Sequence, residues 1–479
     1  MATGVPDGRT IRPDNATLQA WRARIAALLL APDDIAGIVC FRIAFGALMV
    51  WEAWRFADLG WIREYYVDPP FHFTYLGLDW VRPWPGDGMY LHFAAMALFA
   101  VGITIGAWYR LSAALFFVAY TYVFLLDQAT FNNHYYLISL LSFLMVFLPA
   151  ERALSVDAWR RPRIRSTTAP GWVLWTLRAA VAIPYLYGAL AKLKDDWLRG
   201  QPMGLWLANA TDVPLVGRWF LEPWAPLLFS WGGLLFDLLI VPALLWPRTR
   251  AVAFVAALLF HVTNAWLFPI GVFPPLMIAA TTLFLPPSWP REFGFRWPLA
   301  AAPPAAAVAK APVAANAGPP SPVRVGGVVV AVVLLGFFAV QLLLPLRHFA
   351  YPGPVMWTEE GLRFAWHMRL RDKWGEARFH VSDPATGQRW VVDPDDELAS
   401  FQEVEMASKP DMLLQYAHHL ARRWEAAGHP GVEVRAETMV SLNGRDPQPL
   451  VDPTVDLARQ PRDLGHATWI MPLTEPLSD

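Results

Sequence analysis

The sequence predicts a polytopic all-α membrane protein of about nine transmembrane helices, followed by a small mixed α/β or mostly β extracytoplasmic domain. Three observations lead there. Hydrophobic residues make up 55% of the 479 and charged residues only 16%, with a mean hydropathy of +0.31. A soluble domain carries about 25% charged residues, so much of this surface must face lipid. Apolar runs near the length of a bilayer crossing recur between short polar breaks. Beyond residue 349 the pattern turns to the two-residue alternation of strands.

The apolar runs cover residues 35–54, 89–107, 111–126, 136–150, 172–190, 225–246, 251–268, 272–285 and 325–344. Pro274 and Pro275 interrupt the eighth. An alternating path through nine spans gathers Arg22 and Arg24, Arg110, the five arginines between Arg152 and Arg165, Arg248 and Arg250, and Arg291 and Arg296 on one side. That is the positive-inside pattern, and an even number of spans would break it for one half of the chain. The division expected is a transmembrane domain over 1–298 (spans one to eight), a Pro/Ala-rich cytoplasmic linker over 299–324, a ninth helix over 325–348 and an extracytoplasmic domain over 349–479. In that last part, ARFHVSDPATGQRWVVDP reads as two paired strands, FQEVEMASKPDMLLQYAHHLARRWEAAG as helix entered or broken at Pro410, and VEVRAETMVSLNGRDPQPLVD as a strand with an Asn-Gly turn.

A net charge of -1 removes the electrostatic case for nucleic acid. The single Cys40 allows no internal disulfide and no cysteine-based metal or redox site. The first residues lack the apolar run of a cleaved signal peptide.

Three polar groups interrupt or end apolar segments, where ionisable residues tend to mark interior sites. The first is Asp127, Asn132, Asn133 and His134. The second is Tyr185, Tyr187, Lys192, Lys194, Asp195 and Asp196, and the third is His261 with Asn264 one helical turn on. Each has a plain reading beside a chemical one. Asn133 and His134 fit a turn between spans, while His261 and Asn264 fit a hydrogen bond between helices. Lys192 either snorkels to the interface, as Lys194 does beside Asp195 or Asp196, or is an amine held in an apolar pocket where it serves as a base.

The segments CFRIAFGALMVWEAWRF, FNNHYYLISLLSFL, YLYGALAKLKDDWLRG, WGGLLFDLLIVPALL, FHVTNAWLFPIGVFPPLMI and EEGLRFAWHM, taken together and in order, resemble the vitamin K-dependent gamma-glutamyl carboxylase family and its bacterial relatives that share the HTTM domain. The resemblance implies Lys192 as the base toward a reduced vitamin K or menaquinone-like hydroquinone, and His134, with Asn133, at the glutamate carbanion and carboxylation step. It implies His261 and Asn264, with Tyr185, around the same cavity. Reaction of the deprotonated hydroquinone with O2 would generate the strong base that removes a glutamate γ-proton. CO2 then adds to the carbanion while the quinone leaves as its 2,3-epoxide, and no metal takes part. The implied partners are membrane lipid, a lipid-soluble quinol and a glutamate-containing peptide, at the periplasmic side of a bacterial inner membrane. Lys194 replaces the first Asp of the family's pattern after the base. The cysteine pair that joins membrane and lumenal parts in the animal enzymes is missing, and peptide-recognition roles do not transfer to Glu359, Trp366 or Arg369. Two further readings stay open: quinol oxygenation without glutamate carboxylation, and a transport or scaffold protein without catalysis.

Overall fold

The computed structural model describes residues 15–214, 216–268, 270–294 and 325–477. The linker expected over 299–324 and Arg296 lie outside them. After helix α1 (Asn15–Leu30), the chain forms α2 (Ala36–Asp58), α3 (Gly88–Ile105), α4 (Tyr109–Phe124), α5 (Asn133–Phe147), α6 (Gly171–Ala191), α7 (Trp224–Leu245), α8 (Arg250–Leu267), α9 (Phe273–Thr281) and α10 (Val325–Leu343). Each falls on a predicted apolar run. Among the described residues, six helices are long and apolar enough to cross a bilayer; α4, α5 and the stretch Phe273–Phe284 are shorter. At about 1.5 Å of rise per residue, the 16 residues of α4 and 15 of α5 stop short of a hydrocarbon core about 30 Å thick. The fold is therefore a polytopic helical membrane protein with six long apolar helices among the described residues, and length alone does not make nine.

Contacts run from α2 to α3, α4, α5, α6, α7, α8, α9 and back to α2, so the helices close into a ring around one apolar core that includes Phe41, Phe45, Phe116, Leu141, Leu177 and Leu276. Outward positions such as Leu98, Val118, Leu239, Val252 and Leu259 stay exposed, as a lipid-facing wall requires. Helix α10 stands outside the ring, touching α6 and held by the Tyr136 hydroxyl, which donates to Gln341 Oε1 at 2.8 Å. A short pairing absent from the sequence reading, β1 (Pro32–Asp34) with β2 (Thr168–Pro170), ties the starts of α2 and α6.

The C-terminal part is mixed α/β. Strands β3 (Lys373–Ser382), β4 (Arg389–Val392) and β5 (Glu433–Leu442) form an antiparallel sheet in the order β4-β3-β5. Helices α11 (Ser400–Ala407) and α12 (Pro410–Ala426) pack on it, separated at Pro410 as its missing N–H requires. Phe379, Val381, Tyr416, Leu413 and Val434 form its core, and Trp197, Met203, Leu207 and Phe220, from the segment between α6 and α7, join that core. The Asn-Gly turn closes β5 with Asn443 and Gly444 both left-handed.

Candidate active site

Helix α6 ends at Lys192, whose backbone N–H bonds to the carbonyls of Gly188 and Ala189. The side chain turns inward. Its Nζ lies 2.5 Å from Asp237 Oδ2, with side-chain exposures of 9% and 5%, so snorkelling is excluded by geometry. The amine also sits 5.3 Å from the centre of the Trp197 ring, which is fixed by its Nε1 donating to the Ser230 carbonyl at 2.8 Å. The lone amine expected from sequence is corrected here: Lys192 and Asp237 form a buried, hydrogen-bonded ion pair. Asp237 is the site residue that sequence reasoning missed. Its signal was present, since it is the only charged residue in the 22-residue apolar helix α7.

Behind this pair, the Tyr185 hydroxyl and His261 Nε2 meet at 2.8 Å, both side chains buried. His261 Nδ1 is buried without a partner, a polar atom facing an apolar wall of Phe236, Phe260 and Phe273. Asn264 shares the helix but is only half-buried and joins neither this group nor the chamber described next. Phe273 bridges two sequence-predicted histidines, with its ring 6.0 Å from His261 and 5.9 Å from His134.

His134 and Asn133, at the start of α5, line a chamber of about 810 Å³ between the helical ring and the C-terminal part. Arg55 lines it too, pinned by Glu52 through bonds of 2.8 and 2.7 Å. Gly271, at φ +55°, leaves the space Arg55 uses: a Cβ there would come within 2.5 Å of the guanidinium. The opposite wall is the segment 359–371. Glu359, Phe364, Trp366 and Arg369 all adopt left-handed backbone conformations, a concentration of strain that persists only when packing over-determines it. Tyr136 supplies such packing, with ring centres 4.9 Å from Phe364 and 5.1 Å from Trp366. Asn133 Nδ2 donates to the His367 carbonyl at 3.4 Å, so this amide fastens the wall to α5.

Lys192, Asp237, Tyr185 and His261 do not line that chamber. Met368 does, and it also approaches the pair from the other side. A Cβ on Gly188 would lie 2.8 Å from Asp237 Oδ2 and 3.5 Å from Met368 Cε. The structure thus gathers the predicted residues into two adjoining sites, with Met368 and Gly188 at the partition.

The chamber lining carries both signs of charge, four arginines and Lys409 with Glu359 and Glu405. Burial pushes the Glu359 carboxyl up, but Arg371, Lys373 and Lys409 outweigh it and hold it at about 2. Burial pushes the Lys409 amine down to about 7 and, reinforced by Lys194, His348 and Arg371, the His367 imidazole down to about 2. Arg369 lies over an aromatic face, 5.1 Å from the centre of the Phe268 ring, with the Asp372 carboxylate also acting on it. Among the described residues, no three His, Cys, Asp or Glu side chains gather as a metal-binding group.

Two family models match the chain over its helical ring and its C-terminal part. The HTTM domain matches residues 30–289, and the lumenal domain of vitamin K-dependent gamma-carboxylase matches residues 327–476. The chain belongs to the vitamin K-dependent gamma-carboxylase/HTTM family. No solved structure matches it.

Proposed function

We propose that the protein is a hydroquinone-dependent γ-carboxylase of peptide glutamate, using O2 and CO2 with coupled quinone epoxidation. The single observation that carries this reading is the buried Lys192–Asp237 pair beside the His134 chamber, with the chamber-lining Met368 next to it at Gly188. In this reading reduced vitamin K or a menaquinone-like hydroquinone binds against the first site, which supports it with the orphaned polar atom His261 Nδ1 and the surrounding rings of Phe236, Phe260 and Phe273. When bound, it supplies reducing equivalents and, with O2, a base strong enough for a glutamate γ-proton.

The pair, which holds one proton between Nζ and Oδ2 before the step, accepts the hydroquinone O–H proton and ends as the Lys192 ammonium and the Asp237 carboxylic acid. Tyr185 and His261 orient the ring through the free Nδ1. Met368 keeps chamber water from the pair, as chemistry that water would quench demands. In the chamber, Arg369 and Arg55 attract the peptide carboxylate, Asn133 holds the wall, and His134 faces the carbon that attacks CO2. In this reading residues 1–298 and 325–348 form the membrane domain and 349–479 the periplasmic domain of an inner-membrane enzyme.

The partition also favours a second reading, quinol epoxidation without carboxylation, because none of the first site's polar groups, Lys192, Asp237, Tyr185 and His261, lines the chamber. One assay separates them: protein in nanodiscs with vitamin K hydroquinone, O2, labelled bicarbonate and a glutamate peptide, scored for epoxide and fixed label. Both products support the first reading and epoxide alone the second. Neither product from folded protein removes both and leaves a non-catalytic scaffold.

A further inference from the structure

A second cavity, of about 730 Å³, opens beside the chamber between the loop 67–86 and helix α12. Tyr66 lines both cavities, so they are neighbours. The walls are cationic. Arg82, Arg422 and Arg462 face the groove against one carboxylate, Asp79, and that carboxylate is already taken by Arg462 at 2.9 Å and the Thr74 hydroxyl at 2.6 Å. Among the described residues, no carboxylate pairs with Arg82 or Arg422; Arg82 Nε has only the Asp79 carbonyl at 3.4 Å. At the floor, His72 Nε2 is buried with no partner. Burial holds this imidazole down to about 4, and the Tyr65 carbonyl takes a hydrogen bond from it. The ring is therefore neutral with Nε2 left as a bare acceptor, which a buried polar atom tolerates poorly.

The vacant functions are specific. Two guanidiniums want carboxylates, and a buried imidazole nitrogen wants an N–H. An acidic polypeptide brings both, its side chains to the arginines and a backbone amide to His72. A phosphodiester headgroup satisfies the arginines only.

We propose that this groove holds the acidic flank of the polypeptide whose glutamate enters the chamber, making local acidity the basis of substrate choice. The inference rests on the carboxylase reading, and it explains selection without an appeal to any segment remote from the target residue. An extended chain advances about 3.3–3.6 Å per residue, so a peptide passing Tyr66 places successive residues in groove and chamber.

The test uses the full chain in nanodiscs of neutral lipid and two fluorescent peptides of equal length, one with glutamates flanking the target and one with glutamines. Anisotropy should show tighter binding of the glutamate-flanked peptide. Arg82→Ser with Arg422→Ser should erase that preference, an effect of about tenfold in Kd, while Arg422→Lys keeps most of it. His72→Phe should weaken both peptides alike, since the amide is common to them. Equal binding of the two peptides by the unaltered protein, or an undiminished preference in the double serine variant, overturns the proposal. So does displacement of the peptide by anionic phosphatidylglycerol at the same two arginines, which would make the groove a headgroup site. Epoxide and fixed label are measured in parallel on a peptide lacking flanks. Their absence from the unaltered protein fails the carboxylase reading, whereas their presence with no flank preference fails the groove alone.

Discussion

Among the described residues, Lys192 and Asp237 form an ion pair only with each other, in a setting too dry to leave one without the other. Asp237→Ala should therefore destabilise the protein by about 3–5 kcal/mol, and Lys192→Met with Asp237→Leu together should recover most of that loss. Thermal unfolding of the single and double variants in detergent checks both. For the chemistry, Lys192→Ala should abolish epoxide and fixed label together; undiminished epoxide would remove its role as part of the base. His134→Ala should lose fixed label and keep epoxide, and equal loss of both would point to a shared quinol site. Lys192, His134, Tyr185 and His261 were legible because each is polar in an apolar run. Asp237 carries the same signal, yet nothing in the chain links it to a lysine 45 positions away. Asn264 shows the limit of helical spacing: one turn from His261 it shares a helix face, but the packing of α8 buries only the histidine.

Among the elements, α2 carries the strongest fixed point at the arginine-rich end of the ring. The Arg42 guanidinium is fully buried and donates to the carbonyls of Ala150 at 2.8 Å, Ala153 at 3.2 Å and Leu154 at 2.5 Å, with Thr104 at 3.4 Å. It satisfies carbonyls at the ends of α3 and α5 that no helix bond reaches. Arg42→Met should cost about 3 kcal/mol or more, since it leaves those carbonyls buried and unpaired; a melting temperature unchanged from the unaltered protein would count against this role. Sequence placed every apolar helix within a few residues, because hydropathy follows directly from composition. The runs at 111–126, 136–150 and 272–285 are already the short ones in the sequence, and α4, α5 and the stretch Phe273–Phe284 are short in the structure. The sequence did not show the left-handed run from Glu359 to Arg369, which aromatic packing on Tyr136 stabilises against local preference.

Across the whole molecule, the two parts are joined without a disulfide. Gln402 Nε2 on α11 donates to Asp127 at 2.7 Å and to the Phe71 carbonyl at 2.8 Å. Asp196, just after α6, accepts from both Arg445 terminal nitrogens, at 2.7 and 2.8 Å, and from Asn443 at 2.8 Å. Asp196 thus holds the Asn-Gly turn while its charge also acts on Lys194. Burial pushes the Asp127 carboxyl up to about 7, from an ordinary 3.8. Between those values the folded chain keeps a proton that the unfolded chain has lost, so this group makes stability fall as pH rises from about 4 to about 7. Asp127→Asn should flatten that fall in a melting series at constant salt, and an unaltered slope would remove Asp127 as its source. Glu359 acts in a separate window. Held at about 2, it contributes stability above its ordinary 4.5 that is lost as pH drops toward 2. By itself the sequence determined the membrane helices, the polar residues within them and the strand–helix alternation after residue 349, because burial in lipid and strand periodicity are written in residue order. Only the tertiary structure decided that Lys192 meets Asp237, that Met368 parts two sites and that Asp127 and Asp196 bind the C-terminal part. Those pairings depend on distance in space between residues far apart in the chain, which no local pattern encodes.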